Sequence, residues 1–383
     1  MKPFVFLILI ALSVSTVKSQ EISLSECQEL ARSNFPLIRQ HDLITHSENN
    51  AATALLRKYY PQIQVVGQAT WQSDVTKIPI TIPNLTIPEL EKDQYKLYAE
   101  VSQLVYDGGE TDLQRKTIHA NALVEQQKTE VEMYKLRDRI NQTYFGILLM
   151  DEQLKQNEIL QNDLQTALEK IKVMVRNGVS LATNEQNLEA ELLNVKQLNS
   201  GILTGKQSLI KVMALLTGKQ ITDQTKFIHP ASISLNTGTQ RPELSLLDQQ
   251  INNLGLQRKQ LTAQLRPKLN LFAQGGYGKP GLNMFTNSFE PYFIAGAKIN
   301  WQFSRLYTLG KERTNIDVQQ KSLDLQKEIF NLNNSISVTQ QSGEIQKLRQ
   351  MLQTDDEIVA LRNKIKQTSA VQLENGVITS ADF

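Results

Sequence analysis

The sequence predicts a mixed α and β protein in which long α-helical hairpins alternate with short β-hairpins. Four short segments alternate polar and apolar side chains with a period of two, which is typical of strands. Two long segments contain no proline and repeat apolar residues every three or four positions, which is typical of amphipathic helices. Because both kinds of segment occur twice in the same order, the fold class rests on a duplicated unit.

Four prolines mark the duplication and form two pairs with the same separation, Pro36 with Pro61 and Pro242 with Pro267. The second proline of each pair opens a strand-like run, and PQIQVVGQATW aligns with PKLNLFAQGGY. We therefore predict two structural repeats, 21–228 and 232–383.

The first repeat ends with a predicted helix over 181–217, which Gly218 closes. The second repeat stops at Phe383 before any counterpart of that helix. By internal symmetry we expect the chain to be truncated at its C-terminus.

The predicted strands form one β-hairpin in each repeat, within 61–106 and 267–303; they cover 62–71, 95–106, 268–277 and 292–303. Each has about the 9–11 residues of a tilted transmembrane strand, with aromatic residues near its ends. The alternation fits equally well two hairpins packed on a soluble core. Export of the chain, and the lack of a core-forming partner, favour the membrane. Since four strands cannot close a barrel, we expect further copies to supply the rest, three copies giving twelve strands.

A long helix follows each hairpin, over 110–176 in the first repeat and over 311–373 in the second. Helices of this length do not belong to a single globule. The apolar spacing of 181–217 predicts that this helix folds back as an antiparallel partner of 110–176.

Composition excludes several classes of function. The 41 Lys and Arg nearly balance the 39 Asp and Glu, so the chain lacks the basic surface that nucleic-acid binding requires. One Cys excludes an internal disulfide and every Cys-cluster metal site. No serine-hydrolase, zinc-protease, P-loop or dinucleotide fingerprint is present, and His41 and His46 do not share a helix face. We predict no catalytic activity, no cofactor and no metal site.

Residues 1–19 predict a secretory signal peptide, with Lys2 before an apolar run and small residues before Gln20. The alternative, a membrane anchor, is disfavoured because the run is shorter than the ~20 residues of a spanning helix. Cys27 lies too far beyond the run to predict lipid attachment.

The order and duplication of these motifs resemble the TolC-like outer-membrane factors of bacterial efflux and type I secretion. The resemblance covers nearly all of the chain after the signal peptide. It rests on ISLSECQELARSNFPLIR as an opening helix, in which Ser23 and Glu26 predict a capping box, and on the helix-to-strand junctions LLRKYYPQIQV and QLRPKLNL. It also rests on LVYDGG, NWQFS, MALLTG and the two turns NGVSLATNEQNLEAEL and NGVITSADF.

The resemblance implies a homotrimer in the outer membrane of a Gram-negative bacterium that extends into the periplasm. Each protomer would give four strands to a 12-stranded transmembrane β-barrel in contact with outer-membrane lipid, and its helices to a periplasmic α-barrel. The implied partners are a periplasmic adaptor (membrane fusion) protein and an inner-membrane pump of RND or ABC type.

The resemblance also implies two groups of functional residues. The adaptor-docking tips would comprise Asn177, Gly178, Val179, Ser180, Leu181, Thr183, Asn375, Gly376, Val377 and Thr379, and the periplasmic gate Asp382, Asn184 and Ile378. Structural roles stay open for several of them. Gly178 and Gly376 suit left-handed helix ends, Thr183 with Gln186 fits a capping box, and Asp382 suits the first turn of a helix. Ile378 and Asn184 stand where some members have an Arg-to-Asp latch.

Two other functions stay open. A periplasmic coiled-coil adaptor or scaffold also has long helical hairpins, but it shows no duplicated order of β-hairpin and long helix. A truncated channel without function is the second alternative.

Overall fold

A computed structural model describes residues 21–76, 90–231 and 241–374. The chain divides into two compact units. Of the described residues, 21–38, 132–231 and 336–374 form one unit, which we call the helical unit. Residues 39–131 and 241–335 form the other, which we call the sheet unit. The predicted mixture of helix and strand is confirmed.

The helices and strands have the following bounds, in chain order: β1 (Glu21–Ile22), α1 (Leu24–Asn34), α2 (Ile38–Leu56), β2 (Gln62–Trp71), β3 (Asp93–Tyr106), α3 (Glu110–Arg176), α4 (Ala182–Thr217), β4 (Lys226–Phe227), α5 (Pro242–Ala263), β5 (Lys268–Lys279), β6 (Glu290–Asn300) and α6 (Leu306–Glu374). Two 3-10 turns, Arg57–Tyr59 and Phe303–Arg305, lead into β2 and α6.

The sheet unit contains one antiparallel four-stranded sheet with the order β2-β3-β5-β6. Its register places Val65 opposite Ala99, Ala99 opposite Gly275, and Gly275 opposite Phe293. Since side chains alternate along a strand, these four residues lie on the same face. The outer strands β2 and β6 each pair on one side only within the described residues.

The strand predicted over 292–303 ends three residues early, at Asn300. The indole of Trp301 donates a hydrogen bond to the Leu265 carbonyl at 2.9 Å and lies 4.7 Å from the Phe303 ring. The 3-10 turn of 303–305 then leads into α6, which begins at Leu306 and not near 311. Trp301, which continues the alternation in the sequence, thus connects the end of β6 to the segment after α5.

Helix α5 lies beside α3 and α6 within the sheet unit. Asn253 donates to the Asn121 side chain at 2.6 Å, Lys327 pairs with Asp248 at 2.7 Å, and Arg258 pairs with Asp317 at 3.3 Å. These contacts are polar and largely exposed, so each contributes little on its own.

Asp107 organises the turn from β3 into α3. Its carboxylate accepts hydrogen bonds from the backbone N–H groups of Gly109, at 2.8 Å, and Thr111, at 2.6 Å. Gly108 and Gly109 have φ values of 73° and 82°, which favour glycine. A Cβ on Gly108 would lie 2.5 Å from the Cβ of Arg266, so this turn also requires a close approach to the end of α5. Burial disfavours the charged form of Asp107, but the hydrogen bonds from Thr111 and Gly109 prevail and lower its pKa.

The helical unit has a closed apolar core around Tyr144 of α3, formed by α1, α3, α4 and the parallel pair β1 and β4. The Tyr144 hydroxyl lies 3.0 Å from the Ile22 carbonyl and 2.6 Å from the Ile228 carbonyl, and its ring meets Phe227 edge to face. Burial raises the pKa of Tyr144 to about 12, as it does for Cys27. The fully buried side chains are Tyr144, Ile22, Ile140, Ile147, Met213 and Cys27.

The predicted capping box at α1 forms in part. The Ser23 hydroxyl accepts a hydrogen bond from the Glu26 N–H at 3.2 Å. The Glu26 carboxylate instead binds Lys219 at 2.7 Å, just after α4. The residue predicted to cap its own helix thus ties α1 to the segment after α4.

Candidate functional site

One face of the four-stranded sheet is apolar and open. Ile63 and Val65 of β2 are 74% and 72% exposed, Phe293 and Ile299 of β6 are 67% and 71% exposed, and Leu97 of β3 is 59% exposed. The register places all of them on one side. An apolar surface of this size is rare on a soluble monomer, where it marks contact with a membrane or another protein.

Aromatic side chains lie near both ends of this apolar face. Trp71 and Tyr95 are at the end where loops join the strands, and Trp301 and Phe303 are near the end where the strands join the helices. The ammonium group of Lys92 lies 5.9 Å above the Trp71 ring. Aromatic residues with a cation alongside suit the boundary between lipid and water.

The opposite face carries polar groups and is better sheltered. Gln64, Glu100 and Gln274 lie directly opposite one another on three adjacent strands. Both glutamine amides donate to the Glu100 carboxylate, that of Gln64 at 3.2 Å. Tyr98, Glu100, Gln274 and Tyr292 are half-buried on this face, whereas the apolar residues opposite are exposed. These four side chains are thus partly covered by their neighbours on this face.

The predicted first tip is the turn between α3 and α4, and it has a well-defined backbone structure. Gly178 has a φ of 74°, its N–H donates to the Val175 carbonyl at 3.0 Å, and the Val179 N–H donates to the Met174 carbonyl at 2.8 Å. This pair of bonds is a Schellman motif, which ends a helix with a left-handed glycine. The prediction of Gly178 as a left-handed helix end is confirmed.

The turn presents apolar side chains to its surroundings. Val179 and Leu181 are 69% and 71% exposed, and a Cβ on Gly178 would meet nothing within 4 Å. Asn177 and Ser180 lie in the same turn, and the Asn184 amide donates to the Ser180 hydroxyl at 3.2 Å.

The capping box predicted for Thr183 and Gln186 is wrong. Leu181 is the residue that caps α4, and no side-chain hydrogen bond accompanies it. Thr183 already lies within the first turn of α4, one residue after the helix begins at Ala182. The cap is displaced because the Schellman turn ends only two residues earlier, at Val179.

The predicted second tip and most of the gate lie outside the described residues. These are Asn375, Gly376, Val377, Ile378, Thr379 and Asp382. Of the predicted gate, the structure describes Asn184 alone.

No protein-family model matches the chain, and no curated protein matches it. Solved structures do match. The chain is similar to CusC, whose crystal structures concern folding and transmembrane channel formation, with 14% identity over 93% of this chain and 83% of that chain and a TM-score of 0.67. It is similar to the outer-membrane channel OprN, with 15% identity over 94% and 82% and a TM-score of 0.62. A third match is the outer membrane protein VceC from Vibrio cholerae, with 15% identity over 79% and 75% and a TM-score of 0.51.

This chain has the outer-membrane channel fold. At these identities the likeness is one of fold, and it extends over most of both chains. In the described part of this outer-membrane channel fold, no helix combines the length and apolar character that crossing a membrane requires. The same residues contain no group of three or more metal-ligating side chains.

The period of two in 62–71, 95–106 and 268–277 makes Gln64, Glu100 and Gln274 polar strand positions, but it does not predict that they form one hydrogen-bonded row. The row depends on the pairing of β3 with β5, which belong to different hairpins and lie 174 residues apart at Glu100 and Gln274. The alternation fixes the face of each residue, whereas only the register between hairpins brings the three together.

Proposed function

We propose that this chain is the outer-membrane channel component of a tripartite efflux or type I secretion system in a Gram-negative bacterium. It acts as a passive duct and catalyses no reaction. Three copies join their four-stranded sheets into one 12-stranded transmembrane β-barrel, and their helices form a hollow α-barrel in the periplasm.

The observation that carries this proposal is the four-stranded sheet with an open apolar face. The strands have 10, 14, 12 and 11 residues, which is enough for a tilted strand to cross the ~30 Å hydrocarbon core of a bilayer. The apolar face suits lipid, and the polar face suits a water-filled lumen. Strands β2 and β6 offer the two edges at which neighbouring copies can pair.

The helical unit supports association of copies as well. Residues 336–374 of α6 carry a series of large apolar side chains that remain exposed, namely Leu348, Met351, Leu352, Val359, Leu361 and Ile365. Lys366 of α6 forms an ion pair of 3.5 Å with Asp163 of α3. Apolar residues at three–four spacing suit packing against further helices.

The turn between α3 and α4 is the proposed docking point for a periplasmic adaptor, which links the channel to an inner-membrane pump of RND or ABC type. Asn177, Gly178, Val179, Ser180, Leu181 and Thr183 form the first tip, and Asn375, Gly376, Val377 and Thr379 the second. The exposed Val179 and Leu181 support the first assignment. Asp382, Asn184 and Ile378 remain the proposed gate.

Expression of the full chain in a Gram-negative host tests the channel. We expect the protein in the outer-membrane fraction, extracted only by detergent, as a trimer that dissociates on heating. The purified trimer should conduct ions in a planar lipid bilayer. Release of soluble protein by osmotic shock would overturn the proposal and favour a periplasmic scaffold. A membrane-bound protein that gives no conductance would favour a channel without function.

A further inference from the structure

Glu100 carries a negative charge that no basic side chain neutralises within the described residues. Its two partners, the amides of Gln64 and Gln274, are uncharged donors. They fix the position of the carboxylate and satisfy its hydrogen bonds, but they leave its charge intact. We call the row of Gln64, Glu100 and Gln274 the carboxylate belt.

The other charged residues of the polar face are arranged differently. Lys96 and Glu290 lie on either side of Gly278 at the same level of the sheet, so that level carries one charge of each sign. Lys268 pairs with Glu110. Lys298 lies opposite Asn270, four residues along β5 from Gln274.

Distance separates the carboxylate belt from these charges. Four residues of strand correspond to about 13 Å, which exceeds the screening length of about 8 Å at physiological ionic strength. An ion that passes the carboxylate belt therefore senses the charge of Glu100 more strongly than that of Lys96 or Lys298. Tyr98 and Tyr292 lie on the next level of the same face and offer ring surfaces that also attract cations.

We propose that the carboxylate belt is a selectivity element of the duct and favours the passage of cations at this level of the sheet. The inference rests on the proposed function, because only a lumen-facing Glu100 can act on permeating ions. Each copy of the chain contributes one carboxylate, so the copies together form a ring of fixed negative charge. Mobile cations from the lumen neutralise this ring, since the described protein residues do not.

The test is the zero-current potential of the purified channel in a planar bilayer across a gradient of KCl. Glu100→Gln keeps the shape of the side chain and removes its charge. It replaces one acceptor oxygen by an NH2 donor, and the amide of Gln64 or Gln274 can turn to accept from it. We expect this variant to lower the permeability of potassium relative to chloride by about two-fold or more at about 0.1 M salt, where the screening length of about 10 Å is still shorter than the separation of the charges. Near 1 M salt, where the screening length is about 3 Å, the difference should disappear.

Two variants control the measurement. Glu91→Gln makes the same chemical change on a carboxylate that binds Lys279 at 2.7 Å near the loop end of the sheet, and it should leave selectivity unchanged. Lys298→Gln removes a positive charge from the polar face and should shift selectivity toward cations.

The outcomes separate this inference from the proposed function. If the wild-type protein conducts ions and Glu100→Gln leaves its selectivity unchanged at low salt, the carboxylate belt does not set cation selectivity. The proposed channel function is then still supported. An equal shift in Glu91→Gln would show a general effect of net charge and would also overturn the inference. Absence of conductance in the wild type would overturn both.

Discussion

The Tyr144 core of the helical unit and the four-stranded sheet treat apolar side chains in opposite ways. In the helical unit, Tyr144, Ile147 and Met213 are 0% exposed. In the sheet unit, Ile63 and Val65 project from a regular strand and are more than 70% exposed. The first unit completes its core within one copy of the chain, whereas the sheet requires a partner that the described residues do not provide. The stability of an isolated protomer therefore rests on the helical unit, whereas the stability of the sheet depends on what covers its apolar face.

The largest effect is expected for Tyr144→Ala. The change opens a cavity in the closed core and removes the hydroxyl that binds Ile22 and Ile228, so we expect a loss of about 3–5 kcal/mol in the free energy of unfolding. Thermal unfolding followed by circular dichroism measures this loss. Tyr144→Phe keeps the ring and should cost about 1 kcal/mol. If Tyr144→Ala is no less stable than Tyr144→Phe, the closed core is not the source of stability.

Val65→Arg tests whether the exposed apolar face of the four-stranded sheet lies against lipid. A charge on a lipid-facing strand position costs about 2–4 kcal/mol at the middle of a bilayer, so we expect less protein in the outer membrane. Gln62→Arg, on the polar face of the same strand, is the matched control and should insert normally. Equal insertion of the two variants would show that the apolar face does not meet lipid.

Asp107→Asn probes the junction that leads from the sheet into α3. The variant loses charged hydrogen bonds to backbone N–H groups, and we expect it to lower the free energy of unfolding by about 1–3 kcal/mol at neutral pH. Because the folded protein lowers the pKa of Asp107, its contribution is present above the unfolded pKa of about 4 and is lost as pH falls through the folded pKa. Denaturation between pH 6 and pH 3 measures the difference, which should shrink toward the acid end. A difference that stays constant with pH would contradict this origin.

Gly178→Ala should give the smallest effect. The left-handed backbone disfavours any side chain by about 1–2 kcal/mol, although space around Gly178 is free. Gly201→Ala is the control, since Gly201 lies inside α4 with equal space and should gain about 0.5–1 kcal/mol. Thermal unfolding of both variants should show shifts of opposite sign, and shifts of the same sign would argue against a strained turn.

Local patterns predicted much of the fold. The mixture of strands and long helices follows from periods of two and of three to four, which need no knowledge of tertiary contacts. The left-handed end at Gly178 was predictable for the same reason, because glycine is favoured there by local sterics.

Features that depend on distant residues were not predictable. Trp301 continues the alternation of β6, yet its indole binds Leu265, 36 residues earlier, and the strand ends. Tyr144 joins two segments that lie 122 and 84 residues away in sequence. Glu26 fits a local capping box but pairs with Lys219 instead. Each residue satisfied a local pattern while a partner from elsewhere in the chain decided its role.

The two sheet edges, β2 and β6, are different strands, and this determines how copies can add to one another. A contact between β6 of one copy and β2 of the next is head-to-tail, so every added copy again offers both edges. Such a series closes into a ring only if a whole number of the rotations that relate one copy to the next adds up to 360°. The curvature of one sheet would then set the number of copies that close the ring. A change of curvature would change that number even where each contact between strands kept its strength.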